Sequence, residues 1–293
     1  MKNKTALIFG AGGQDGFYLN KLLLDKGIPT IRTSRNSGDV TGNVGDLKFV
    51  ERLVKQYQPD LIFHLAANST ARHDALFENH EAICTGTLNI LESAKLYSPS
   101  SKIFLSGSAL QFKNEGQPID EHTSFEASSP YAVARIQSTY AARYYRKAFG
   151  SKCYVGYFFN HDSPLRTEQH VNQKIVRAAQ RIAGGSKEKL EIGNIEVCKE
   201  FNFAGDIMEA VWKLIDQEDV FEAVMGCGRS YPIQDWVVCC FEKLGLNWKD
   251  HVVLLKGFVP EYKNLVSDPK LIMGLGWSPA VDIYQLANMM INE

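Results

Sequence analysis

An excess of either sign of charge is missing from this sequence. Its 32 lysines and arginines are balanced by 33 aspartates and glutamates over 293 residues, a formal net charge of −1. There is therefore no basic field to hold nucleic acid and no polybasic segment to hold a membrane surface. Long apolar runs are missing too, and Met1-Lys2-Asn3-Lys4 leads into the first apolar segment with no signal-like stretch, which points to a cytoplasmic location and no membrane partner. The six cysteines, Cys84, Cys153, Cys198, Cys227, Cys239 and Cys240, have no CxxC spacing and no histidine pair beside them. That argues against a metal centre or a disulfide framework and for small, mostly buried hydrophobes. Internal repeats and low-complexity segments are absent as well. What remains is a chain long enough for one large α/β domain, or a nucleotide domain with a smaller cap, whose partners are small molecules or copies of itself.

What is present begins at the N-terminus. Ala6 to Phe9 is an apolar run short enough for a buried parallel strand, and it stops at Gly10, Gly13 and Gly16 before an amphipathic stretch from Asp15 to Lys26. Strand, glycine turn and helix in that order form a cradle for a pyrophosphate. The first glycine makes the tight turn, the second lets phosphate approach bare backbone, and the third lets helix pack on strand. The helix that follows turns its free N–H groups and positive dipole end to the phosphates.

A second strand, 29–33, ends at Ser34-Arg35-Asn36. An arginine at this strand end accommodates the 2′-phosphate of NADP where an acidic residue would bind the ribose of NAD, so Arg35 leans to NADP, the alternative being a solvated loop arginine. Residues 37–42 read as a flexible link, and Asp46 opens a helix that it either caps or leaves to reach the adenine. A third strand, Leu61 to Leu65, runs into the small residues Ala66-Ala67-Asn68-Ser69, with His64 read as structural. A helix follows over 82–96, then a fourth strand over 102–105 that delivers Ser106-Gly107-Ser108 to its C-terminal end. Open parallel sheets place ligands at such ends. The next helix starts at Ser129-Pro130 and carries Tyr131 and Arg135, four residues apart and so on one face, where both can meet Ser108 over a nicotinamide. A fifth strand over 153–159 closes the regular alternation. The reading is an α/β fold, a Rossmann-type doubly wound parallel sheet over 1–159. A smaller substrate-binding region over 160–293 is interleaved with it.

These residues carry a resemblance. Gly10-Ala-Gly-Gly-Gln-Asp-Gly16, Gly45-Asp-Leu47, Leu65-Ala-Ala-Asn-Ser69, Gly86-Thr-Leu88, Ser129-Pro-Tyr-Ala-Val-Ala134, Phe159-Asn-His-Asp-Ser-Pro164 and Gly193-Asn194 resemble the extended short-chain dehydrogenase/reductases, and among them the GDP-mannose 4,6-dehydratase group and the related keto-sugar reductases. The resemblance covers nearly the whole chain. It implies a nicotinamide cofactor, NADP or NAD, held by Gly10, Gly13, Gln14, Asp15, Gly16, Arg35, Asp46, Leu47, Leu65, Ala66, Ala67, Ser69, Tyr131 and Arg135. It implies a GDP-linked sugar held by Asn160, Lys174, Gly193, Asn194, Lys199 and Glu261. Catalysis falls to Ser108, Tyr131 and Arg135, and a homodimer pairs through a helix bundle containing the helix from Pro130.

Departures from the pattern bear on the reaction. Arg135 stands where the family has lysine, and its planar fork does not reproduce the contacts of an ammonium with the cofactor ribose. Leu110 stands where dehydratases carry the glutamate that transfers a proton across C5 and C6, and a register shifted by one residue puts Ala109 there instead. Val259 replaces an arginine on the diphosphate, and Ile83 an asparagine. The expectation is an oxidoreductase acting at C4 of a GDP-hexose without elimination. The alternatives are a GDP-mannose 4,6-dehydratase, a lyase, or a catalytically weak nucleotide-binding regulatory subunit.

Overall fold

A computed structural model describes residues 4–68 and 70–292; Ser69 lies outside the described residues. The first half alternates strand and helix: β1 (Ala6–Phe9), α1 (Gln14–Asp25), β2 (Thr30–Ser34), β3 (Val40–Thr41), α2 (Leu47–Tyr57) and β4 (Leu61–His64). There follow a short α3 (Leu76–Asn79), a π-helical turn over His80–Thr85, α4 (Gly86–Tyr97), β5 (Lys102–Ser108), α5 (Pro130–Phe149) and β6 (Lys152–Phe158). The second half is built of shorter strands and longer helices: β7 (His161–Asp162), α6 (Val171–Ala183), β8 (Leu190–Ile192), β9 (Cys198–Lys199), β10 (Asn202–Phe203) and α7 (Ala204–Ile215). After these come β11 (Glu222–Met225), β12 (Tyr231–Pro232), α8 (Ile233–Lys243), β13 (Val252–Leu254), β14 (Asn264–Leu265), α9 (Lys270–Gly274) and α10 (Ile283–Asn292).

Seven strands form one parallel sheet in the order β11-β6-β5-β4-β1-β2-β3. The order reverses between β1 and β4, which is where a doubly wound sheet opens its ligand crevice. Successive residues of one strand point to opposite faces, and both faces are covered. Leu7, Phe9, Ile62, Ile103 and Leu105 pack under α2, α4 and α5; Ala6, Ile8, Leu61, Phe63 and Phe104 pack under α1 and α7. Each such Leu, Ile or Phe contributes about 1.5–3 kcal/mol by leaving water. A separate core joins α6, α8 and α10 around Ile175, Trp236, Phe241 and Leu286.

Two expectations change. Residues 37–42 are not merely a link, because Val40 and Thr41 extend the sheet beside Thr33 and Ser34. The helix expected from residue 82 starts two residues earlier as the π-helical turn, whose wider winding sets Glu81 and Ala82 on the wall of the crevice. His64 is 1 % exposed, and burial followed by the charge of Arg135 pulls its imidazole down to about 3. It is a neutral core side chain, as read from its apolar neighbours.

Candidate active site

The glycine turn forms because Gly10 takes a left-handed backbone (φ +92°) and stands so near β4 that a Cβ would lie 2.5 Å from Ala66 N. Gly16 packs α1 on the turn, a Cβ there falling 2.5 Å from Ala11 Cα and 2.6 Å from Gly10 O. Gly13, the N-cap of α1, differs: a Cβ would meet only Gly10 O at 3.7 Å, so the volume it leaves belongs to the crevice. That crevice, about 340 Å³, is walled by Gly10, Gly13, Gln14, Asp15, Arg35 to Ser37, Gly42 to Val44, and Leu65 to Ala67. Bare backbone and a helix N-terminus, with Arg35 on the same wall, fit a dinucleotide. Arg35 is exposed and makes no ion pair among the described residues, whereas the nearby Arg32 is held by Asp39 at 2.7 Å. Asp46 and Leu47 do not border the crevice; Asp46 spends its carboxylate on the Lys48 N–H as the cap of α2, and residues 42–44 take their place on the wall.

A second cavity of about 180 Å³ adjoins the first, with Asp15, Leu65 and Arg166 bordering both. It collects Ser108, Leu110, Tyr131, Arg135, Asn160 and His170. Ser108 ends β5 and opens a turn in which its Oγ accepts the Leu110 N–H at 3.2 Å, which leaves the hydroxyl proton to be donated into the cavity. Tyr131 is held in the first turn of α5, where Ser129 Oγ caps the Ala132 N–H at 3.1 Å and Pro130 occupies the first helical position. Arg135, one turn on, lies with its guanidinium carbon 5.0 Å from the centre of the Tyr131 ring. Its Nη1 donates to the Ser106 carbonyl and, at 2.9 Å, to Ser106 Oγ. The guanidinium, 4 % exposed, has no carboxylate partner among the described residues, and its Nε has no hydrogen bond to them.

Two of the motifs singled out from the sequence meet in space. Ser163 Oγ donates to Gln14 Oε1 at 2.9 Å, Gln14 Nε2 to the His161 carbonyl at 3.3 Å, and His161 Nε2 stands 3.0 Å from Asp15 Oδ1. His161 Nδ1 lies 2.8 Å from the Phe159 carbonyl. Both ring nitrogens thus face acceptors and both carry protons, so His161 is an imidazolium. Burial alone would lower its pKa, but the Asp15 carboxylate raises it above the ordinary value. For Asp15 burial acts upward, and His161 with Arg166 outweighs it and holds the carboxyl below its ordinary range. The pair locks the phosphate turn to the loop after β6.

The residues expected to hold a nucleotide sugar are spread along the second half. Asn160 borders the second cavity and its buried Oδ1 has no partner among the described residues. Lys199 is 6 % exposed, and burial pulls its ammonium down to about 8, with Asp162 opposing and Arg166 adding to the shift. Lys174 Nζ donates to the Glu191 carbonyl at 2.8 Å, Asn194 Oδ1 accepts the Glu196 N–H at 2.7 Å, and Glu261 is exposed. At Gly193 a Cβ would fall 2.6 Å from the Phe258 ring. None of these five borders the two cavities. Arg166 and His170 were not singled out from the sequence; Arg166 borders both cavities and His170 the second. Arg166 pairs with Asp162 at 3.2 Å. Their only signal was position, a few residues past the Phe-Asn-His-Asp-Ser-Pro run.

The fold and the two joined cavities define an extended short-chain dehydrogenase/reductase. A family model described as GDP-mannose 4,6 dehydratase matches residues 7–290. GDP-mannose 4,6 dehydratase 1 of Arabidopsis thaliana is 32 % identical over 322 aligned residues, covering 99 % of this chain and 89 % of that protein. Among solved structures, RMD from Pseudomonas aeruginosa complexed with NADPH superposes with a TM-score of 0.88 at 19 % identity, covering 99 % of this chain and 97 % of that one. The dTDP-glucose 4,6-dehydratase from Bacillus anthracis, in complex with NAD, superposes with a TM-score of 0.87 at 16 % identity over 99 % of this chain and 96 % of that one. The chain belongs to the GDP-mannose 4,6-dehydratase family.

Proposed function

We propose that this protein uses a nicotinamide cofactor to act at C4 of a GDP-linked hexose, and that its reaction is the 4,6-dehydration of GDP-mannose. The family likeness along the full chain supports the substrate and the reaction. The observation that carries the chemistry is the meeting of Ser108 and Tyr131 in a cavity joined to the glycine-turn crevice. A bound nicotinamide supplies the acceptor for the C4 hydride and the donor that completes C6. Tyr131 accepts the O4 proton, and the Ser108 hydroxyl donates to O4 as it becomes a carbonyl. Arg135, anchored on Ser106, holds a permanent positive charge against the Tyr131 ring. Arg35 on the wall of the crevice, with no ion-pair partner among the described residues, supports NADP over NAD. Lys199, Lys174, Asn160, Gly193, Asn194 and Glu261 are proposed to hold the nucleotide diphosphate, and α5 with α4 to form a homodimer interface.

Oxidoreduction without elimination, the expectation from the sequence, draws no support from the relatives compared. It stands as a second reading on one observation, Leu110 in the cavity where the group's glutamate is expected. The two readings separate when purified protein and NADP⁺ are incubated with GDP-mannose and the sugar is analysed by mass spectrometry. Loss of one water without net cofactor reduction supports dehydration. Stoichiometric reduced cofactor with the hexose otherwise intact supports the second reading, and an inert protein refutes both.

A further inference from the structure

Elimination needs a group that removes the C5 proton and delivers a proton to the departing C6 hydroxyl, and Leu110 supplies none. Apart from arginines, the titratable side chains bordering the Ser108–Tyr131 cavity are Asp15, Tyr131, His161 and His170. Asp15 and His161 are bound to each other, and the second nitrogen of His161 is bound to Phe159. Tyr131 is assigned to O4. His170 is left over. It is the N-cap residue of α6, yet its side chain caps no N–H, and its imidazole makes no hydrogen bond among the described residues. It is half-buried and borders both this cavity and a third, polar one lined by Asn68, Thr70, Arg72 and Glu78. Burial first, and then the charge of Arg166, pulls its pKa below the ordinary imidazole value; Asp162 opposes, and Lys199 and His161 add to the shift. Near neutral pH the ring is an unprotonated base with a free lone pair.

Resting on the dehydratase reading, we propose that His170 is the catalytic acid–base of the elimination step. In the 4-keto sugar its imidazole takes the C5 proton. The C5–H electron pair becomes the C5–C6 π bond as the C6–O bond breaks, and the oxygen leaves as water with the proton that His170 returns. The imidazole ends neutral, as it began, and no other reactant is consumed.

The test uses the full chain with NADP⁺ and GDP-mannose, in D₂O, as wild type, His170→Gln, His170→Ala and His170→Gln combined with Leu110→Glu. Three quantities are followed: reduced-nicotinamide absorbance in a single turnover, deuterium uptake at C5, and loss of water from the sugar. In both His170 single variants, the C4 step still reduces the cofactor, while C5 exchange and water loss fall by about 100-fold or more. Leu110→Glu in the Gln background restores part of both. Unchanged exchange and water loss in both single variants overturn the proposal, as does loss of cofactor reduction together with elimination in folded protein. A wild type that reduces cofactor but loses no water overturns it in favour of the second reading. A wild type that does neither refutes the substrate assignment itself.

Discussion

Lys199 is a buried cation whose ammonium lies 5.3 Å from the centre of the Phe201 ring, and no carboxylate among the described residues pairs with it directly. Its folded pKa, about 8, is below that of an unfolded lysine, so the unfolded chain binds more protons between pH 8 and the ordinary lysine value, and stability rises with pH across that window. Replacing Lys199 with methionine is expected to raise the melting temperature of the ligand-free protein while weakening GDP binding, and calorimetry with and without GDP reads both. On the proposed role, GDP affinity of the wild type is expected to fall as pH rises through about 8 and the methionine variant to lose that dependence. Tyr131→Phe is expected to lower turnover by at least about 100-fold with the melting curve unchanged; an unchanged rate refutes the assignment of the proton-transfer residue. At this scale the places of Ser108, Tyr131 and the glycines on the cavity walls were legible, because a strand end, a helix start and a tight turn deliver them there. Arg166 and His170 were not, because they reach the cavity through the path of the loop after β7, which no local pattern encodes.

Among elements, the sheet edge at β6 and β11 is fastened to α5 by one carboxylate. Glu222 accepts from Arg143 at 2.6 Å, from Tyr157 at 2.6 Å and from Arg146. Burial acts to raise the Glu222 pKa, but hydrogen bonds from Arg143 and Tyr157 and the charge of Arg146 hold it down at about 2. Its stabilisation is full above the ordinary glutamate value and is lost as pH falls toward 2. Glu222→Gln should destabilise the fold by about 3 kcal/mol, since it leaves two arginines without their counter-charge, measured by urea unfolding at neutral pH. The same variant should show a smaller further loss on acidification. The strands and helices of this half were readable from apolar runs bounded by glycine, proline and serine. The two-residue β3 was not, because a strand so short has no periodicity and forms only when Thr33 and Ser34 offer it an edge. The interlock of Gln14-Asp15 with His161 and Ser163 was likewise beyond a linear reading, although both runs stood out separately.

On the scale of the whole molecule, α5 exposes Val133, Tyr140 and Tyr144 along one stripe, and Leu88 is exposed on neighbouring α4. Apolar and aromatic side chains in such a stripe on adjacent helices are what a second copy would cover. On the proposed interface the wild type is expected to sediment as a dimer and the double variant Tyr140→Glu, Tyr144→Glu as a monomer. Equal sedimentation refutes this face as the interface. No helix among the described residues is long and apolar enough to cross a membrane. The parallel sheet draws its edge strand, β11, from far along the chain, and Val224 and Met225 register with Tyr157 and Phe158 across more than sixty intervening residues. Synthesis of the protein therefore reaches residue 225 before the nucleotide half can be completed. A nascent chain stopped near residue 160 leaves the β6 edge open, with its N–H and C=O groups unpaired and free to join the same edge of another copy. The order in which the ribosome delivers strands, and not only their final contacts, is thus a hazard this fold must pass on its way to activity.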